Sequence, residues 1–322
     1  MTLLFELIKQ LIIAAVLLGF IAVNAMFLIW LERRLCARFQ VRIGPNRVGF
    51  QGCLQPIADM IKLLQKENIV PKDSDQLIHL LAPIVVFTAA FMAYLSLPFG
   101  PKLIALDMDM GILYIFAVTT LSVIGILMAG WGSNNKYSLL GGMRSVAQII
   151  SYEIPLVLSI FGVIMLSNTL RLPGIVESQK GFFGWYIFQQ PLAFVIYIIA
   201  ATAELNRAPF DIPEAESELT AGYHTEYSGM RFGIFFLAEF TSMFMVSALA
   251  VCLFLGGWQG FGILPAPLWF IGKCYAVIFL LIWFRWTFPR LRVDQLMAFG
   301  WKILTPLAFL NILVTGLLIS VK

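Results

Sequence analysis

Residues 194–227 read FVIYIIAATAELNRAPFDIPEAESELTAGYHTEY. The first ten are oily, and six of the chain's 18 acidic residues follow at once: Glu204, Asp211, Glu214, Glu216, Glu218 and Glu226. Only Arg207 stands close by with the opposite charge. An oily run of this kind is a helix suited to hydrocarbon, and the acids cannot follow it there. Pro209 and Pro213 break any regular helix through the acidic part. Pro213 can open a short one, with Glu214 and Glu216 favoured in its first turn, but that accounts for two acids of the six. Two carboxylates about 6 Å apart repel by about 3 kcal/mol at an effective dielectric near 20, roughly two pKa units. Such a crowd must take up protons or cations, so it can store protons or respond to a nearby change of charge.

The switch from oil to charge recurs along the chain. Of its 322 residues 60% are hydrophobic and 12% charged, and the mean hydropathy is +0.87. A soluble domain has roughly a quarter of its residues charged, so this composition excludes a soluble enzyme and implies a bilayer. About 20 apolar residues cross a bilayer as a helix. Eight segments qualify, at about 7–31, 79–97, 111–131, 148–166, 187–203, 233–255, 267–284 and 303–320. The expectation is an all-α polytopic membrane protein of about eight transmembrane helices with long cytoplasmic loops, a single domain over 1–322. Pro83 and Pro155 fall near the starts of their expected helices, where proline is tolerated. The N-terminal run is full span length and lacks a small-residue cleavage site, so it reads as a span and not a removable signal.

Basic residues set the orientation. The odd-numbered loops carry 16 Lys and Arg and the other side, termini included, carries 5, with Lys273 inside the seventh span. The positive-inside rule then puts the odd loops in the cytoplasm and both termini outside. The membrane expected is a bacterial plasma (inner) membrane, with an organellar membrane as the alternative.

Cys36, Cys53, Cys252 and Cys274 are far from any metal or iron–sulfur spacing, and His79 and His224 are widely separated. No metal site and no redox centre of its own is expected. The chemistry therefore rests on charged groups. Glu153, Glu204 and Glu239 fall at membrane depth, where an acid costs about 3 kcal/mol on insertion scales. They read as facing a protein interior or a water path; snorkelling to the interface is the plainer alternative, best suited to Glu204. In 54–66, Leu54, Ile57, Ala58, Ile61 and Leu64 alternate at helical spacing with Gln55, Asp59, Lys62 and Lys66, giving an interfacial helix too short to span. Asp59 and Lys62 can pair one turn apart, as an ordinary surface pair or as the rim of an internal polar site.

The first loop starts LERRLCARFQVRIGPNRVGFQG, dense in Arg33, Arg34, Arg38, Arg42 and Arg47. It reads as a topology anchor over anionic lipid. The turn set by Gly44, Pro45 and Gly49 suits a second reading, docking of an acidic protein surface. The same loop is the obvious counterweight to the acidic fifth loop. Arg285, Arg290 and Arg292 with Asp294 in the seventh loop, and Lys136, Tyr137 and Arg144 in the third, read as a basic cap on the same face.

The motifs ERR…RIGPNRVG, ADMIKLLQKE, SYEIPL, AELNRAPFDIPEAESELTAGYHTEYSGM and WTFPRLRVDQLMAFGWK resemble the H subunit family of NADH–quinone oxidoreductase, respiratory complex I, from the first span to the last. The resemblance implies a subunit of a translocase at the junction of the membrane and hydrophilic arms. Its loops help form the cavity for quinone, the substrate. It implies a proton or charge relay through Asp59, Glu153, Glu204 and Glu239. Arg207, Asp211, Glu214, Glu216, Glu218, Glu226 and Tyr227 belong with the quinone cavity and acidic loop. Arg33, Arg34, Arg42, Arg47, Lys62, Arg285 and Arg290 belong with the basic interface. FMN and iron–sulfur clusters are implied on partner subunits, one of which carries the terminal cluster, and antiporter-like membrane subunits are implied as neighbours, with no nucleic acid. Two rival readings are a homologous membrane subunit of a ferredoxin-linked or hydrogenase-type pump, and a stand-alone ion transporter.

Overall fold

In hydrocarbon every backbone N–H and C=O must be satisfied within the segment, so apolar runs become helices. The computed structural model describes residues 2–212, 220–260, 262 and 264–321. The described helices are α1 (Thr2–Phe39), α2 (Gln55–Gln65), α3 (Gln76–Ala93), α4 (Gly111–Thr119), α5 (Leu121–Gly132), α6 (Lys136–Ser167), α7 (Leu172–Ser178), α8 (Tyr186–Gln189), α9 (Pro191–Glu204), α10 (Gly229–Phe254), α11 (Ala266–Thr287), α12 (Val293–Phe299) and α13 (Thr305–Val321). A π-helical turn, Gly300–Leu304, joins the last two. Seven helical stretches among the described residues are long and apolar enough to cross a membrane, α4 and α5 counting as one and α12 to α13 as another. The chain is thus an all-α polytopic membrane protein.

Helix α10 is the axis of the packing. Every residue from Met243 to Phe254 is buried, and α3, α11, α1, α2 and α7 all lie against it. Helices α1 and α13 are peripheral, with Leu11, Val16 and Val23 on one and Leu313, Leu317 and Leu318 on the other exposed as a lipid-facing side. Side chains at the helix starts replace missing intrahelical acceptors. Asp75 accepts from the backbone N–H of Leu77 and Ile78 at the head of α3, and Asn135 from Tyr137 at the head of α6.

Several expected boundaries shift. Arg33, Arg34 and Arg38 lie on the last turns of α1 rather than in a loop, and Arg285 on the last turn of α11. Lys136, Tyr137 and Arg144 lie on the first turns of α6, which starts about three turns before the apolar run. Hydropathy marks lipid contact, whereas α6 continues on protein packing. A Cβ on its Gly141 would stand 2.6 Å from the Gly222 backbone, so only glycine permits that approach. Pro83 and Pro155 lie inside α3 and α6, not near their starts, because both helices begin upstream of the oily runs.

The fifth expected span is the shortest. It divides at Gln190 into α8 and the 14-residue α9, which starts at Pro191. At 1.5 Å per residue α9 is about 21 Å long, against a hydrocarbon core of about 30 Å. Its polar end is enclosed by protein: Leu205, Arg207, Phe210 and Ile212 just beyond it are all buried. The switch from oily to acidic residues after Ala203 therefore takes place inside the molecule.

Candidate functional site: a buried charge network around Arg207

The turn after α9 is pinned from α6. Gln148 Nε2 donates to the carbonyls of Ala203 and Phe210, both at 2.8 Å, and Asn206 Nδ2 donates to Ser145 Oγ at 2.9 Å. Gln148 thus ties both ends of the turn to one side chain. Asn206 has φ 52°, the left-handed conformation asparagine tolerates best after glycine. The backbone N–H of Leu291 adds a bond to the Pro209 carbonyl at 3.2 Å.

This turn holds Arg207 in the interior, 5% exposed. One guanidinium nitrogen lies 2.7 Å from Glu32 Oε2 on α1 and another 2.8 Å from Glu239 Oε1 on α10. The guanidinium also stands 4.8 Å from the Phe240 ring centre. Glu32 takes a second cation, Arg285 from α11, on its other oxygen. Three helices and the turn are tied by four charges of alternating sign. A buried pair is worth little against an apolar replacement, but removing one partner costs about 3–5 kcal/mol, because the other charge stays buried.

Glu239 also borders a cavity of about 90 Å³, together with Glu204, Asn206, Tyr197 and Ser242. The rest of its lining is mostly apolar, but these polar groups converge on it, and its size leaves room for a few water molecules beside them. Beyond Glu204, Glu153 on α6 is near enough for the two acids to repel, and it accepts a hydrogen bond from Thr120 Oγ1 at 2.6 Å. The charged groups at depth thus form a sequence: Glu32, Arg207, Glu239, cavity, Glu204, Glu153.

Such a line of acids, Glu32 buried and the others half-buried, held by a buried cation and meeting at a cavity, suits a membrane protein that moves charge. The profile of the NADH dehydrogenase family matches residues 12–316. The H subunit of NADH-quinone oxidoreductase from Dehalococcoides mccartyi strain CBDB1 is 53% identical over 309 residues, which is 96% of this chain and 86% of that one. The same-named subunit of Bacteroides fragilis strain YCH46 is 48% identical over 328 residues, covering 97% and 91%. That of Bacillus mycoides strain KBAB4 is 54% identical over 291 residues, covering 89% and 87%. The chain belongs to this H subunit family. It is accordingly a membrane subunit of NADH-quinone oxidoreductase.

Within this membrane subunit the other expected residues fall into separate groups. Asp59 is not paired with Lys62. It sits on α2 with Arg33 at 2.5 Å and Gln55 at 3.1 Å, because the end of α1 reaches over it; Lys62 contributes only its field. Partial burial alone would raise the Asp59 pKa, but the bonds from Arg33 and Gln55 prevail and hold the carboxyl below its ordinary value. Asp59 is therefore on a rim of its own, apart from the Glu239–Glu204 cavity. Asp211 lies half-buried in the pinned turn. Glu226 accepts from Asn135 Nδ2 at 2.6 Å, and the Tyr227 ring stacks on His79 at 4.0 Å. These two clamp the segment leading into α10. Pro213, Glu214, Glu216 and Glu218 lie outside the described residues.

The basic residues also part company. Arg285 enters the buried network; Arg290 is exposed. Arg34 donates to the Gln51 carbonyl at 3.1 Å, and Arg42 Nε donates to Gln40 Oε1 at 2.6 Å. Arg34, Arg38 and Arg42 line a pocket of about 200 Å³ with Gly44 and Pro45. Among the described residues none of these three, nor Arg47, pairs with a carboxylate. Between the two segments one ion pair is seen among the described residues, from the acidic segment's own Arg207 to an acid of the basic stretch, Glu32.

Glu32 is absent from the acids expected at membrane depth. It ends an oily run just as Glu204 does, and that criterion applied to both would have found it. Two other groups were named from the sequence without their partners. His79 is fully buried and has its Nδ1 3.0 Å from Arg231. Lys273 donates to the carbonyls of Leu255 (2.6 Å), Gly257 (3.1 Å) and Gln259 (2.6 Å). Among the described residues no group of three or more His, Cys, Asp or Glu is arranged to hold a metal ion.

Proposed function

We infer that this chain contributes to the quinone cavity where the membrane arm meets the hydrophilic arm, and that it couples quinone reduction to proton translocation through its buried acids. The odd-numbered loops face the cytoplasm in this reading, as their basic bias requires. The observation that carries it is the line from Glu32 through Arg207 and Glu239, across the cavity, to Glu204 and Glu153. Quinone becomes quinol by gaining two electrons, supplied through iron–sulfur clusters of partner subunits, and two protons. Electrons that arrive before protons put negative charge in a site of low dielectric, which is costly.

The chain's own residues answer that charge. Arg207 is shared between two carboxylates, so a proton gained by Glu239 weakens one bond and shifts the guanidinium toward Glu32. A negative charge near Glu32 and Arg285 draws the guanidinium the same way, off Glu239, and so leaves Glu239 a better proton acceptor. Water in the cavity can carry a proton between Glu239 and Glu204, and Glu153 responds to the charge Glu204 then holds. The unpaired arginines of the pocket at 42–45 and the exposed apolar side of α2 serve, in the same reading, as contacts for an acidic surface of the hydrophilic arm and for the membrane interface. FMN and the terminal iron–sulfur cluster belong to that arm, and antiporter-like subunits adjoin the far end of the relay.

The test is Glu204→Gln in the assembled complex. NADH–quinone turnover and proton uptake into membrane vesicles should fall together, by on the order of a hundredfold if the residue acts as an acid–base group. Glu204→Asp should retain more, and NADH oxidation by a hydrophilic acceptor should persist. Full coupled activity in Glu204→Gln sinks the relay at this position.

A further inference from the structure

On the side of α9 away from the charge network, a groove of about 940 Å³ lies between α9, the end of α11 and the α12–α13 region. This is near the top of the roughly 300–1,000 Å³ range of small-molecule pockets. Its walls are bulky and apolar: Phe194, Phe210, Phe284, Phe288 and Phe299 contribute, with Ile198. Its margin is exposed, Val195 and Phe288 each at 52% and Ile303 at 48%. The groove is elongated along the helices. From Val195 to Thr202 on α9, and from Leu280 on α11 to Phe288 just past its end, it follows about 10–12 Å of axis at 1.5 Å per residue.

One end of it is basic. Lys302, on the π-helical turn, lines the groove, and Arg290 and Arg292 flank the lining residues Pro289 and Leu291. All three cations are exposed, and none pairs with a carboxylate among the described residues; Asp294 is the one acid in this stretch. Gln295 also lines this end. The π-helical turn is an irregularity of a kind that recurs at functional sites.

We propose that this groove is a binding site for an anionic glycerophospholipid, with an acyl chain along the phenylalanine wall and the phosphate at Lys302, Arg290 and Arg292. Three features select that occupant. A long apolar groove with cations at one end matches a molecule with an anionic head and a hydrocarbon tail. A neutral quinone head gains nothing from three unpaired cations. A neighbouring subunit's helix packs best on small residues that let backbones approach, and this wall is mostly phenylalanine and branched side chains. Bound there, the lipid braces α9 and the pinned turn, whose Pro209 and Phe210 line the groove.

The experiment uses the whole complex. p-Benzoylphenylalanine in place of Val195 is photoactivated in native membranes and the adduct identified by mass. A phosphatidylglycerol or cardiolipin adduct is expected; an adduct with another subunit or with quinone overturns the proposal. In parallel, delipidated complex is incubated with phosphatidylglycerol in phosphatidylcholine vesicles and retained lipid is counted by native mass spectrometry. Lys302→Gln should lower phosphatidylglycerol occupancy about fivefold, the effect of one interfacial cation, and Val195→Trp should abolish it by filling the groove. Equal retention in wild type and both variants overturns the proposal.

Discussion

Arg207 and Lys273 are both cations drawn into the protein to hold separate helices together, yet their partners differ in kind. Arg207 is held by Glu32 and Glu239, which can gain protons. Lys273 is held by three backbone carbonyls at the C-terminal end of α10 and lies 4.2 Å from the centre of the Trp185 ring. None of those partners titrates. The helix dipole favours a cation there, and glycines at 256 and 257, with φ 69° and 52°, form the tight exit that presents the carbonyls. The two sites are about 24 Å apart along α10, from Glu239 to Leu255 at 1.5 Å per residue. The same helix therefore carries a contact whose acceptors can change protonation near one end and one whose acceptors cannot at the other. Buried cations are expensive in either place; the chemistry of the acceptors tells which is suited to a working part.

The largest effect is expected at the working end. Arg207→Met leaves Glu32 with Arg285 alone and takes the guanidinium from Glu239, and should destabilise the subunit by about 3 kcal/mol, the low end for a buried pair that loses one partner, seen as lost complex on native gels and a lowered thermal midpoint. Adding Glu32→Gln and Glu239→Gln should restore much of the stability and none of the coupling. If the triple variant pumps, the network is structural. Lys273→Met should cost less, about 1.5–3 kcal/mol for charge-assisted hydrogen bonds, with the midpoint lowered and the number of protons moved per NADH unchanged.

Smaller again is the turn that carries the unpaired arginines. Gly52 has φ 75°, and a Cβ there would stand 2.2 Å from the Pro45 carbonyl oxygen. Gly52→Ala should cost about 1–3 kcal/mol of local strain and reduce binding of the hydrophilic arm, as should Arg42→Ala, while insertion into the membrane is kept. Unchanged yield of whole complex on native gels would leave the arginines as lipid anchors. The smallest effect is at the rim. Arg33 and Asp59 are 43% and 26% exposed, so a double-mutant cycle on this pair should read about 0–1 kcal/mol and shrink with added salt. Because the Asp59 pKa is depressed from 3.8, that contribution is present at pH above 3.8 and lost as pH falls through the lower folded value.

What could be read in advance follows the same division. The long helices were legible because lipid leaves a mark on composition, residue by residue. The extension of α6 to Lys136 was not, since glycines and serines packed on neighbours carry no hydropathy signal. Glu204 and Glu239 stood out as acids in oily surroundings. Glu32 did not, because its neighbours Arg33 and Arg34 made it look like part of a basic flank. Lys273 was visible only as a charge inside a span; its partners are carbonyls, which every residue has and no sequence pattern displays. Arg207 was legible as a lone cation among acids, but its partners come from α1 and α10, 175 and 32 positions away in the chain, and only the fold brings them together.

On this reading titratable acceptors mark the coupling site and backbone acceptors the anchor. The direct measurement is protons taken up per NADH oxidised in inverted membrane vesicles, for Glu239→Gln and Lys273→Met, each normalised to assembled complex. A sharply reduced ratio is expected in Glu239→Gln and the wild-type ratio in Lys273→Met, whatever the losses in stability. A wild-type ratio in Glu239→Gln, or a reduced one in Lys273→Met, would contradict this reading.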